Sequence, residues 1–207
     1  MPLSTKKRLP KSFYTRQDVV QISKDLLGKV IVTNFANQRT AGKIVETEAY
    51  RAPDDKACHA YNNRLTERTK IMFAEGGTAY VYLCYGIHHL FNVVTATEGV
   101  AHAVLIRAVE PLENVALMLE RRNKTKINRQ LTGGPGVMSK ALGITTAFTG
   151  ISLLEPNSPV WLEDRGFLIE EKDIIASPRV GVDYAEECAL WDWRFRIKDS
   201  KWTSPAK

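Results

Sequence analysis

Glu46, Glu48 and Tyr50 recur at every second position in IVETEAYRAPDDKACHAYNNR, residues 44 to 64, and His59 follows in the same run. In an extended strand this spacing puts Ile44, Glu46, Glu48 and Tyr50 on one face and Val45, Thr47 and Ala49 on the other. Unpaired carboxylates are too costly to bury in a core, so the face should border solvent or a cleft. Carboxylates two apart on a strand lie roughly 6.6 Å from each other at about 3.3 Å per residue, near the separation found in inverting glycosidases. Those enzymes place their acids on opposite sides of the scissile bond, whereas these two project in parallel. The pattern favours one working carboxylate with the other paired to a basic neighbour; two plain surface residues is the alternative.

The four histidines, His59, His88, His89 and His102, invite metal chemistry. They form no H-x-x-x-H or H-E-x-x-H pattern, and adjacent His88 and His89 on a strand point to opposite faces. No metal and no cofactor is therefore expected. GGPG lacks the Lys-Ser/Thr that completes a nucleotide loop, and Cys58, Cys84 and Cys188 share no short spacing, so they read as free thiols. Tyr80 and Tyr82 share a strand face, and Tyr85 precedes Gly86 at an expected hairpin tip. An aromatic exposed there amid net positive charge suits stacking on bases or wedging between them; a packing role is the alternative.

The elements that must position these groups follow from the surrounding periodicity. DVVQISKDLLGK reads as a helix with Asp18 as candidate N-cap and an end near Gly28. Val30 to Phe35 is a strand, NQRT a turn, and Gly42 to Tyr50 the returning strand. GGTAYVYLCYGIHHLFNVVT is a second hairpin, with its turn at 86 to 88 and Asn92 opposite Tyr82. AHAVLIRAVEPLE supplies another strand, NVALMLERRNKT a basic helix, and LTGGPGVMSKALGI a Gly-rich turn into a short helix. Strands and helices do not alternate as βαβ units, so the fold class is α+β. The expectation is a single domain over 1–207 with a curved, mostly antiparallel sheet, peripheral helices and a protruding β-hairpin, and with residues 1–11 as a flexible basic tail.

The chain has 207 residues, 44% of them hydrophobic, enough for one core. No apolar h-region follows MPLSTKKRLPKSF and no run approaches about 18 apolar residues, so a cytoplasmic location, nucleoid-associated if bacterial, is expected, with no membrane partner and a monomeric state. The formal charge of +6 is unevenly spread, with Lys6, Lys7, Arg8 and Lys11 in one cluster and Arg121, Arg122, Lys124, Lys126 and Arg129 in another. Such clusters favour a polyanionic partner; a solvated basic surface is the alternative.

Taken in order, FYTRQDVVQISKDLLGK, VETEAYRAPDD, MF, GTAYVYLCYGIHHLFNVVT, VLIRAVEPLE, GGPG, LGI and RVGVDYA resemble the alkyladenine (3-methyladenine) DNA glycosylase family over residues 12 to 204. T-E-A-Y, Y-V-Y-x-x-Y-G and L-I-R-A-x-E-P in that order make the resemblance specific. It implies a monofunctional hydrolase that flips alkylated purines (3-methyladenine, 7-methylguanine) out of double-stranded DNA, with hypoxanthine and ethenoadenine as further candidate substrates. Cutting the N-glycosidic bond then initiates base excision repair. The resemblance casts Glu48 as the general base that activates water. It places Tyr50 and His59 on one face of the flipped base and Tyr82 on the other, with His59 also donating a hydrogen bond. Tyr85 becomes the residue that enters the minor groove, Asn92 the guard against guanine's 2-amino group, and Arg107 a pocket-side and backbone contact. The chain departs from the family pattern at Val137, where relatives carry a Lys, and at His88 and His89. A non-catalytic damaged-DNA binder is disfavoured by the presence of Glu48, and a nucleoside hydrolase by Tyr85 and the basic clusters.

Overall fold

The computed structural model describes residues 7–204. The strands are β1 (Lys7–Arg8), β2 (Val30–Phe35), β3 (Gln38–Arg51), β4 (Ala79–Cys84), β5 (His88–Thr95), β6 (His102–Glu113), β7 (Val160–Asp164), β8 (Ile174–Ser177) and β9 (Arg194–Ile197). The α-helices are α1 (Lys11–Tyr14), α2 (Val19–Asp25), α3 (Val115–Arg122) and α4 (Pro135–Leu142). The strands form one antiparallel sheet in the order β1-β7-β2-β3-β6-β5-β4, and β9 joins it by pairing with β3 and β8. This is the expected α+β single domain. No helix of the described residues is long and apolar enough to cross a membrane.

Strand periodicity sorts the sheet into two faces. On β4, Ala79 and Val81 enter the main core with Ile22 and Leu26 near α2 and Met138 and Leu142 of α4. Tyr80 instead enters a smaller cluster with Cys58, Met72, Val94 and Ala103, against which Tyr50 and Tyr82 also pack. That second cluster lies beneath the long connection from β3 to β4, and the candidate site is built on it. Asp18 caps α2 by accepting from the Gln21 N–H at 2.9 Å, as expected of an Asp before an apolar-periodic run.

Four local expectations need correction. Residues 7 to 11 are not a tail. Lys7 and Arg8 pair with Asp164 and Glu163 of β7, Leu9 is buried, and Lys11 opens α1; the remainder of that expectation, 1 to 6, lies outside the described residues. The first hairpin turns at Ala36 and Asn37, both at positive φ, so β3 starts at Gln38 rather than Gly42. An irregularity at Val45, between Ile44 and Glu46, breaks the alternation on β3. Ile44 therefore packs in the main core with Ala49, while Glu48 and Tyr50 face the other side, since one extra residue inverts the parity of a strand.

The second hairpin pairs Tyr80 with Asn92, Tyr82 with Leu90 and Cys84 with His88. Its three-residue turn is Tyr85, Gly86 and Ile87, with φ of 52° and 72° at the first two. Asn92 thus stands opposite Tyr80, not Tyr82. The slip is two residues, a full strand period, so every side chain keeps its expected face.

Candidate active site

β3 supplies Glu48 and Tyr50, β4 Tyr80 and Tyr82, β5 Asn92, β6 Arg107, and the connection after β3 supplies His59, all around a cavity of about 460 Å³. Glu48 is fully buried. Its Oε1 accepts from the Val180 backbone N–H at 2.8 Å and lies 3.1 Å from Arg107 Nη1, while Oε2 accepts from the Tyr50 hydroxyl at 2.8 Å. An ionised carboxylate offers about four lone-pair sites. Three are used, so Oε2 keeps one for a further donor.

Glu46 is also fully buried, which corrects both the cleft and the surface readings for this residue. Its Oε1 accepts from Arg107 Nε and Arg194 Nε, each at 2.8 Å, and from Ser204 Oγ at 2.7 Å. Its Oε2 accepts from the Ser204 N–H at 2.7 Å. Burial alone would raise the Glu46 pKa, but Arg107, the Ser204 N–H and Arg194 together outweigh it and hold the carboxyl below the usual range. Arg107 is thus shared between two carboxylates. Its side chain is 7% exposed and lines the cavity wall.

Burial, and then the neighbouring Glu48 charge, drive the Tyr50 pKa well above its ordinary value, so the phenol stays protonated as a donor. The Arg179 guanidinium lies 4.8 Å from the Tyr50 ring centroid and forms a fully buried ion pair with Asp55. It also donates to the Ala49 and Cys188 carbonyls. This one cation therefore ties the connection bearing His59 to the segment bearing Val180. Burial, followed by the Arg68 charge, lowers the His59 pKa to about 4, so the imidazole is neutral at pH 7. Nδ1 of His59 lies 2.9 Å from the Tyr80 hydroxyl, and its ring meets Tyr82 edge-on at 4.7 Å between centroids. Asn92 Nδ2 donates to the Tyr80 carbonyl at 3.1 Å, which fixes the amide at the cavity wall.

Tyr85 stands at the cavity rim with 89% exposure, and Ile87 beside it with 71%. Large apolar side chains exposed at a hairpin tip contribute nothing to the core. His88 packs against Gly136 of α4, where an added Cβ would come within 2.9 Å of its ring, and His89 Nδ1 accepts from the Thr146 N–H at 3.1 Å. The two departures at the hairpin base thus brace it against α4 and the segment after it. The basic clusters are partly structural. Arg8 lies over the Trp161 ring, Lys11 pairs with Glu75, and Arg121 turns inward to the Ala141 carbonyl; Lys6 lies outside the described residues.

Sequence reasoning missed three members of the site. Val180 and Arg179 sit more than a hundred residues from Glu48 and reach it only through the fold. Arg68 also lines the cavity, but as one basic residue in a polar loop it gives no periodic signal. Among the described residues no group of three or more His, Cys, Asp and Glu side chains could hold a metal ion.

A sequence model described as "Methylpurine-DNA glycosylase" matches residues 12–201. A Chlamydia abortus protein is 47% identical over 190 residues, covering 91% of this chain and 97% of the relative. A Clostridium novyi protein is 46% identical over 205 residues, covering 96% and 98%. One from Bacillus cereus is 45% identical over 192 residues, covering 90% and 93%. All three carry the name "Putative 3-methyladenine DNA glycosylase".

Proposed function

The chain belongs to the methylpurine-DNA glycosylase family, and from that premise we propose that it hydrolyses the N-glycosidic bond of alkylated purines extruded from duplex DNA. One observation carries the reading. Glu48 is a carboxylate with a single open acceptor site, at the wall of a cavity built from tyrosine rings and a neutral imidazole, beside an exposed tyrosine at a hairpin tip.

A purine alkylated at N3 or N7 is cationic and leaves without being protonated. Water attacks the sugar C1′ while the C1′–N bond breaks, and the bonding pair returns to the purine and neutralises it. Glu48 Oε2 accepts the proton lost by the water. Its charge also stabilises the oxocarbenium-like centre, with Oε1 held in place by the Val180 N–H and Arg107. Neutral His59 adds no like charge against a cationic purine. Extrusion costs a few kcal/mol, and stacking on the pocket rings returns about 1–3 kcal/mol. An excision assay on duplexes bearing 3-methyladenine, 7-methylguanine, hypoxanthine or ethenoadenine tests the reading. Release of the cationic bases is expected, and no release from any of the four overturns it.

Tyr85 would wedge into the stack vacated by the base. Replacing Tyr85 with Ser should weaken binding to a lesion duplex and slow its excision, with little change on a single-stranded substrate. Equal losses on both substrates would contradict a wedge.

Asn92 would oppose guanine's 2-amino group, because its amide is fixed at the cavity wall by the Tyr80 carbonyl. Asn92→Ser should increase release of unmodified guanine, measured as abasic sites in undamaged duplex. A variant with no such increase would refute steric exclusion.

A further inference from the structure

Arg68 belongs to the cavity, and its part in the chemistry above is only to help keep His59 neutral. Its Cζ lies 5.1 Å from the Tyr82 ring centroid, over the ring, and its Nη2 lies 3.3 Å from His59 Nε2. It also neighbours the Tyr80 hydroxyl. These partners are all uncharged. A guanidinium only donates, so His59 Nε2 must accept, and the ring proton sits on Nδ1, facing the Tyr80 oxygen at 2.9 Å. The cation therefore fixes both the tautomer of His59 and the approach of His59 to Tyr82.

That approach leaves no slot. The two rings meet edge-on at 4.7 Å between centroids and 76° between planes, whereas a purine stacked between two rings needs two contacts of about 3.5 Å each. Arg68 also borders a neighbouring cavity of about 250 Å³ lined by Arg64, Thr66 and Thr69. The side chain is exposed, sits in a loop and lines both cavities. Resting on the reading of the larger cavity as a purine pocket, we propose that Arg68 is a latch on the empty site. Its guanidinium occupies the contacts on His59 and Tyr82 that an extruded purine must take, and base entry displaces it into the neighbouring cavity.

The test is competitive inhibition of excision by free hypoxanthine and free 3-methyladenine, in the wild type and in Arg68→Met, which keeps an apolar stem without the cation. With the latch gone, the inhibition constant of the free base should fall by about two- to fivefold, the size of a surface cation–π contact. A residue serving only to hold DNA would instead weaken duplex binding and leave the free-base constant unchanged. An unchanged or raised constant in an enzyme that still excises overturns the latch and leaves the glycosylase reading standing. If the wild type excises nothing, the glycosylase reading fails, and direct titration calorimetry with the free bases decides the latch. Tighter binding to Arg68→Met than to the wild type supports it, and equal or absent binding overturns it.

Discussion

Glu48→Gln should lower single-turnover excision by about 10² or more, the usual size of a lost general base, while lesion-duplex affinity stays within a few-fold. Gln has the shape of Glu and can turn its amide oxygen to the Val180 N–H and Arg107 and its NH₂ to the Tyr50 hydroxyl, so the local bonds are rebuilt. What it lacks is an acceptor for the proton of the attacking water. Arg107 keeps Glu46 as a partner in this variant, so no buried cation is stranded. Binding and rate must be measured on the same preparation. A variant that excises at the wild-type rate would remove Glu48 from the chemistry, and with it the observation on which the function rests.

Glu46→Gln should act on stability. The change removes the negative charge at Oε1 on which Arg107 and Arg194 converge, and all three side chains are buried. Breaking one side of such a network costs about 3–5 kcal/mol, which for a chain of this size lowers Tm by about 10 °C. Below the lowered midpoint the variant should still excise far better than Glu48→Gln. The penalty should also depend on pH. The Glu46 carboxyl titrates below its unfolded value of 4.5, so its contribution is complete above that pH and is lost as pH falls through the depressed value. The gap in Tm between wild type and Glu46→Gln should therefore be widest near neutrality and close in the acid range. A gap that is small, or that stays constant down to low pH, would contradict the network. Glu46 is thus no neutral control for Glu48, although the two stand two residues apart on one strand.

What the sequence determined by itself is whatever depends on near neighbours. The period of two put Glu46, Glu48 and Tyr50 on one side of β3 and Tyr80 with Tyr82 on one side of β4. A glycine after an aromatic marked the tip where Tyr85 is exposed, and an Asp before an apolar-periodic run marked the cap of α2. The order of short motifs was enough for the family. The tertiary structure decided whatever depends on pairing across the chain. Two glutamates in the same local pattern took different roles because Arg194 and Ser204 arrive from the far end to enclose Glu46, while Val180 and Tyr50 hold Glu48 at the cavity. The hairpin register, the irregularity at Val45 and the anchoring of residues 7 to 9 on β7 likewise come from strands that are distant in sequence. Arg68 lay in a loop without periodicity, and only the fold brought its cation onto His59 and Tyr82. A carboxylate's environment is set by the charges and donors that surround it in space, and for Glu46 and Glu48 most of those come from more than fifty residues away.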